Sequence, residues 1–354
     1  MISNKLIAIF ILCMIPALLF PQQNRSSMLL KTHETAGIYI QAQAIAPGKG
    51  NTQFYNLLSI PVQVRYESSR YFSLTFRLNQ GSQSYGGTGL YSLGDLEVNA
   101  RYLQGENLTF LGGVRLPTGT KALDYDQLVA TSAGRLPFIN APVICGASGF
   151  GMHVGLSYGQ QPNEKTAVAI GVLYNKRDEY TAIKDGGKYD PTDAFMVAGG
   201  IEYKDGQEWG FMCDVQFIKY SKEKMDGEEL SDPGRGIALS GKVFLRQLEL
   251  RTLYYHRDES HRKNAGDFVP PSILNLKLGH RGMRPFMPYI GLTATSQGTL
   301  VEAASLFLGG FYFEKFKLGD YPMNPYIEVN FGTIGSETKT LGIKVGTDVS
   351  FQIY

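Results

Sequence analysis

The chain has 354 residues, of which 43% are hydrophobic and 19% are charged, and its formal net charge is +2. This charge is too small to indicate a nucleic acid or another strongly acidic partner. After the N-terminus, no apolar run approaches the roughly 18 residues of a spanning helix, which excludes a helical membrane protein.

The first residues are typical of an export signal. Lys5 supplies a positive charge, residues 6–20 are largely apolar, and residues 22–27 are polar. We therefore predict a signal peptide over residues 1–22, a short periplasmic segment over 23–34 and one further domain over 35–354. An uncleaved membrane anchor is the open alternative for the apolar stretch.

From residue 35 onward, the chain alternates apolar with polar side chains in short segments. Residues 62–66, 72–78 and 343–345 show the pattern. Alternate residues of a strand share a face, so each segment has one apolar and one polar side. The connections are alternately very short and long, as in an outer-membrane barrel with tight turns at one rim and loops at the other. This rhythm predicts an all-β fold, a transmembrane antiparallel up-and-down β-barrel with both termini periplasmic.

The pattern predicts sixteen strands. They lie at about residues 35–46, 55–67, 70–78, 94–104, 107–117, 149–159, 164–175, 193–204, 208–220, 236–245, 248–256, 271–280, 285–296, 303–313, 324–332 and 340–354. Fourteen strands is the alternative, because 35–46 and 324–332 alternate least clearly. Residues 204–207, Lys-Asp-Gly-Gln, are a strong hairpin signal, and the aromatic Tyr354 ends the chain as in many such barrels.

One stretch resembles a known family. Residues 94–102 (GDLEVNARY) and 108–119 (LTFLGGVRLPTG), with residues 60–66 upstream, are similar to outer-membrane barrels named for the meta-cleavage pathway of phenol degradation. That family is grouped with hydrophobic-compound transporters of the FadL type. The resemblance covers about residues 55–120. It implies an exported barrel and a passage for small hydrophobic or aromatic compounds, and it carries over no catalytic residue.

The alternation also predicts which side chains line the lumen. If Val62, Val64 and Tyr66 face lipid, then a set of polar residues on four consecutive strands faces inward: Gln63, Arg65, Glu67, Arg77, Glu97, Asn99, Arg101 and Arg115. This set either orients and filters solutes or forms an Arg–Glu network that braces the barrel. Elsewhere the inward charges of both signs are scattered, which argues against strong ion selectivity: Asp214, Lys242, Glu249, Arg251, Lys277, Glu328, Lys344 and Asp348.

The connection over residues 118–148 is unusually apolar for a surface loop. It is a candidate gating loop, with Leu128, Leu136 and Phe138 as its candidate residues. It either folds into the lumen as a constriction or packs on the outer rim.

No cofactor, metal or catalytic residue is predicted, because none of the five histidines shows ligand spacing or a Ser/His/acid motif. The favoured function is a channel or facilitator for small solutes in the outer membrane of a Gram-negative bacterium. The alternatives are a non-transporting structural or surface-recognition barrel and, third, an outer-membrane enzyme. The expected partners are outer-membrane lipid, the barrel-assembly machinery and a small solute.

Overall fold

The structure is a computed structural model. It describes residues 36–46, 51–69, 71–128, 149–206, 208–258, 272–282, 286–296, 303–313, 316–318 and 321–349. The predicted signal peptide 1–22, the predicted segment 23–34 and the terminal Tyr354 lie outside the described residues.

Within these residues, sixteen strands build the barrel. They are β1 (Ala36–Ala46), β2 (Gln53–Ser69), β3 (Phe72–Tyr85), β5 (Leu96–Gln104), β6 (Leu108–Leu116), β7 (Gly151–Asn163), β8 (Thr166–Arg177), β11 (Ala194–Asp205), β12 (Trp209–Tyr220), β15 (Arg235–Leu245), β16 (Leu248–Arg257), β17 (Ser272–His280), β18 (Phe286–Thr295), β19 (Ala304–Phe313), β22 (Tyr326–Ile334) and β23 (Thr338–Val349). Seven described strands are shorter: β4 (Thr88–Leu93), β9 (Tyr180–Thr181), β10 (Lys188–Asp190), β13 (Glu223–Met225), β14 (Glu228–Ser231), β20 (Phe316–Leu318) and β21 (Tyr321–Met323). Each barrel strand overlaps one predicted strand, so the prediction of sixteen is confirmed and the alternative of fourteen is wrong.

The sheet closes on itself. Each barrel strand pairs antiparallel with the next barrel strand along the chain. β1 also pairs with β23, from Ala36 opposite Val349 to Ala46 opposite Lys339, which joins the first strand to the last. Closure pairs the first and last barrel strands with each other, and in this way a barrel satisfies its backbone hydrogen bonds within the membrane.

The two rims differ as the sequence predicts. Residues 164–165 and 246–247 are tight turns at one rim, whereas residues 117–150 form a long connection at the other. β1 begins and β23 ends at the short-turn rim, which is the periplasmic one in bacterial barrels. Gly206 (φ 62°) lies in the predicted hairpin turn between β11 and β12. Arg246 (φ 49°) adopts the same left-handed backbone conformation in the turn between β15 and β16. Two connections break the rhythm: 335–337 is tight at the long-loop rim, and the β20–β21 hairpin lies at the short-turn rim.

The outer surface of the barrel is apolar. Val154 on β7 and Ile290 on β18 are 62% and 64% exposed. On β22, Val329 is exposed whereas its neighbours Glu328 and Asn330 are buried and face the lumen. Such a surface is stable only in acyl chains, so the chain is a transmembrane β-barrel of the bacterial outer membrane. Separately, no helix among the described residues is long and apolar enough to span a membrane.

β3 extends beyond β5 at the long-loop rim. β3 pairs with β5 through its first half and with β4 through its second half. The predicted loop over residues 79–93 is therefore wrong for most of its length. Gln80, Ser82 and Ser84 alternate with Gly81 and Gln83, so neither face of this stretch is apolar and the sequence gives no strand signal.

Two of the long connections form a small second sheet. β9 and β10 come from the connection after β8, β13 and β14 from the connection after β12, and all four pair antiparallel. The hydroxyl of Tyr189 donates a hydrogen bond to Glu223 (3.0 Å), which ties the two connections together. Burial and the adjacent carboxylate both raise the pKa of Tyr189.

A buried apolar cluster faces inward at the long-loop rim. We call it the mouth cluster, and its members are Ile45, Tyr55, Leu57, Ala304, Leu306 and Ile334. Outward neighbours such as Phe54 and Phe307 are exposed, so the alternation assigns the buried residues to the lumen side.

Candidate functional site

The lumen wall on β2, β3, β5 and β6 carries the residues that the sequence predicts there. Gln63 lies opposite Arg77, Arg77 opposite Glu97, and Glu97 opposite Arg115, which forms one row across four strands. Arg115 donates to Oε1 of Glu97 through Nη2 (2.8 Å) and Nε (3.0 Å). The structure therefore brings these residues together, and whether they filter solutes or brace the barrel stays a prediction.

The remaining predicted lining residues lie in the adjacent rows. Arg65 is opposite Thr75, and Asn99 is between Thr75 and Gly113. Arg101 is opposite Ser73 and Leu111. The backbone of Glu67 pairs with Ser73, and its side chain lies outside the described part of the structure.

The start of the candidate gating loop turns toward β4. The backbone N–H of Gly119 donates to Asp95 (3.2 Å), and the hydroxyl of Ser92 donates to Thr120 (2.7 Å). Leu128 packs against Leu90 and Leu123 beside these contacts. Leu136 and Phe138 lie outside the described residues, so a gating role for this loop stays a prediction.

A second charged region, at the short-turn half of the lumen, consists of residues that the sequence reading treated as scattered. Lys242, Arg251 and Lys277 lie directly opposite one another on β15, β16 and β17. Together with Arg281 and Lys344 they form what we call the basic arc: Lys242, Arg251, Lys277, Arg281 and Lys344. The interpretation of scattered charges is therefore wrong for these residues, because strand register aligns them.

Glu249 holds one end of the basic arc. Its Oε2 lies 3.1 Å from Nζ of Lys242 and 3.6 Å from Nε of Arg281. Its Oε1 accepts a hydrogen bond from Nε of Arg251 (2.5 Å). Three cations therefore surround one carboxylate, and this pairing offsets the desolvation of its buried charge.

Glu328 holds the other end. Its Oε2 accepts hydrogen bonds from Nζ of Lys277 (3.0 Å) and from the hydroxyl of Tyr289 (2.9 Å). Its Oε1 lies 3.9 Å from Nζ of Lys344. Nζ of Lys277 also lies 4.9 Å from the centroid of the Tyr289 ring, a cation–π arrangement that fixes the amine against the wall.

Two cavities open beside the basic arc. A cavity of 370 Å³ has three cations of the arc, Arg251, Lys277 and Lys344, in its lining, together with the two carboxylates Glu249 and Glu328 and the tyrosines Tyr289, Tyr312 and Tyr326. A second cavity, of 590 Å³, includes Lys204, Lys242, Arg246 and Arg281 in its lining. Among the described residues, no group of three or more His, Cys, Asp or Glu side chains is arranged to hold a metal ion. The side chains that line these cavities suit a polar solute with an apolar part.

No family model and no curated protein matches the chain, so the resemblance of residues 55–120 to the phenol-degradation barrels stays a prediction. Solved structures that are similar in shape include the COG4313 outer membrane channel from Pseudomonas putida F1, at 11% identity and a TM-score of 0.42. That similarity covers 92% of this chain and 99% of the other. OccK11 (OpdR) from Pseudomonas aeruginosa is 7% identical with a TM-score of 0.49, covering 94% and 100%. OccK5 (OpdH) from Pseudomonas aeruginosa is 8% identical with a TM-score of 0.49, covering 90% and 98%. Similarity at these values identifies neither a family nor a solute.

Proposed function

We propose that the protein is an outer-membrane channel for small solutes, not an enzyme. The observation that carries this proposal is the solvation of side chains inside a closed barrel. The side chain of Arg251 faces inward and is 59% exposed. An inward charge with that exposure needs water in the lumen, and a water-filled lumen supports passage of polar molecules.

The finer part of the proposal concerns the solute. Tyr289, Tyr312 and Tyr326 line the 370 Å³ cavity and offer ring surface to an apolar group. This wall supports a solute that contains an aromatic ring, as the resemblance of residues 55–120 also implies. In the cell, outer-membrane lipid would surround the barrel and the barrel-assembly machinery would insert it.

A second candidate is a barrel that does not transport. The mouth cluster favours it, because a packed group of apolar side chains at the long-loop end of the lumen would narrow the passage: Ile45, Tyr55, Leu57, Ala304, Leu306 and Ile334. Hydrophobic constrictions of this kind stop ions and water by dewetting. The barrel would then serve as a scaffold that presents the four-stranded loop sheet at the surface.

Reconstitution into planar lipid bilayers separates the two candidates. A channel gives stepwise conductance in KCl and admits small uncharged solutes in a liposome-swelling assay. Heat-denatured protein from the same preparation is the control for detergent leakage. A folded barrel that gives neither current nor swelling would contradict the channel and support the scaffold.

A further inference from the structure

The geometry points to a binding site for the carboxylate of small organic acids in the basic arc. This inference deepens the proposed channel function and rests on it. The site lies at the short-turn half of the lumen, where the basic arc borders the 370 Å³ cavity. That volume falls within the roughly 300–1,000 Å³ of ordinary small-molecule pockets.

The first argument is the alignment of like charges. Lys242, Arg251 and Lys277 occupy directly opposed positions on three adjacent strands, where Cα atoms are about 4.5–5.5 Å apart. Like charges in such positions repel and destabilise a sheet. The wall therefore holds a concentration of positive charge that a bound anion would neutralise.

The second argument is that the resident carboxylates do not balance the arc. Among the described side chains, Glu249 and Glu328 are the two carboxylates that its five cations contact. Two other inward carboxylates on neighbouring strands, within the same described set, make their contacts outside the arc. Glu202 pairs with Lys204, and Asp214 accepts a hydrogen bond from Ser240.

The third argument is the depth at which each sign lies. The side chains of Glu249 and Glu328 are 5% and 8% exposed, so they are set into the wall. Arg251 is 59% exposed and reaches into the lumen, and Lys242 and Lys277 are each 36% exposed, whereas Lys344 is buried almost as deeply as the carboxylates. A solute in the lumen therefore meets Arg251, Lys242 and Lys277 before the carboxylates, and electrostatic attraction favours an anion.

The fourth argument fixes the class of anion. The guanidinium of Arg251 presents paired donors that suit a planar carboxylate. Beside these cations, Tyr289, Tyr312 and Tyr326 add ring surface to the lining of the same cavity. A small carboxylate with a ring or short hydrocarbon group uses both the cations and the rings, whereas an inorganic anion uses only the cations.

Benzoate is the probe, and its neutral analogue benzamide is the matched comparison. Equilibrium dialysis of radiolabelled benzoate against the full, detergent-purified chain measures binding without any need for conduction. We expect Arg251→Gln to weaken benzoate binding about tenfold, which is the usual effect of losing one charge-assisted contact. The substitution should not leave Glu249 unpaired, because Lys242 and Arg281 still contact its carboxylate. Lys224→Gln removes a charge from the loop sheet, outside the barrel, and is expected to leave the affinity unchanged.

The outcomes separate this inference from the proposed function. Benzoate binding that depends on Arg251, in a protein that passes no current, would keep the site and overturn the channel. Current without benzoate binding would keep the channel and overturn the site. Equal affinity for benzoate and benzamide, or equal affinity of the Arg251→Gln and Lys224→Gln variants, would also overturn the site.

Discussion

Lysine substitution at two adjacent positions of β8 tests which face of the barrel contacts lipid. Ile170 is outward and 59% exposed, whereas Ala169 points into the lumen opposite Gly200. β8 runs from Thr166 to Arg177, so Ile170 lies 1.5 residues from its centre. At roughly 3.4 Å per residue and a tilt near 45°, the side chain sits about 4 Å from the midplane of the apolar band.

At that depth Ile170→Lys places an ammonium in hydrocarbon. The expected loss of folding free energy is about 2–4 kcal/mol, the range for lysine near the midplane of a barrel. Ala169→Lys should lose less than about 1 kcal/mol, because its ammonium enters a hydrated lumen. The added ammonium also has a carboxylate nearby. Ala169 is opposite Gly200, and a Cβ on Gly200 would lie 2.2 Å from Oδ1 of Asp214.

The assay is folding into short-chain phosphatidylcholine vesicles across a urea series, read by the mobility of unheated samples on SDS gels. Ile170→Ala serves as the control for lost apolar area without added charge. The expected order of stability is wild type, then Ala169→Lys close behind, and Ile170→Lys well below both. Equal stability of the two lysine variants, or a lower stability of Ala169→Lys, would refute the assigned orientation of the strand.

Three further predictions concern packing, turns and the mouth. Leu306→Ser should raise single-channel conductance by loosening the mouth cluster, whereas Leu341→Ser on the lipid face should not; equal conductance of both would show that the cluster does not limit passage. Gly310→Ala should reduce the yield of folded barrel, because the added Cβ would lie 2.4 Å from the carbonyl oxygen of Ile327. Gly309→Ala is the control and should fold normally, because its Cβ would have no neighbour closer than 4.0 Å. The reverse result would contradict the strand register. Arg246→Gly should stabilise the barrel by about 1 kcal/mol in the urea series, because Arg246 has φ 49° and a non-glycine residue is strained there; a loss of stability would contradict this assignment of strain.

The barrel is largely predictable because its signals are local. A two-residue turn fixes the register of the hairpin that contains it, and period-two alternation then fixes the inward face. The turn at 246–247 alone places Lys242 opposite Arg251, as observed. Alternation likewise places Gln63, Arg77, Glu97 and Arg115 on the inward face, although the connection between β3 and β5 is too long to fix their register.

The extension of β3 and the loop sheet could not be predicted in this way. Gln80, Ser82 and Ser84 offer no apolar face, so nothing local distinguishes their strand from a polar loop. The loop sheet depends on pairing between residues such as Tyr189 and Met225. These two residues come from different connections. Whether the connections pair depends on the entropy cost of closing the chain between them, and the local composition gives no indication of that balance.

The alignment of the basic arc depends on strand register across long connections, which local sequence patterns do not determine. Lys277 reaches Arg251 only because β16 and β17 align after the connection over residues 258–271. Glu328 then accepts a hydrogen bond from Lys277 although 51 residues separate them in the chain. The whole sequence has a net charge of only +2, yet at the basic arc Glu249 and Glu328 are buried in the wall while Arg251, Lys242 and Lys277 are exposed to the lumen. Because a solute responds to the local potential at the wall and not to the total charge, the lumen can prefer anions in a nearly neutral protein.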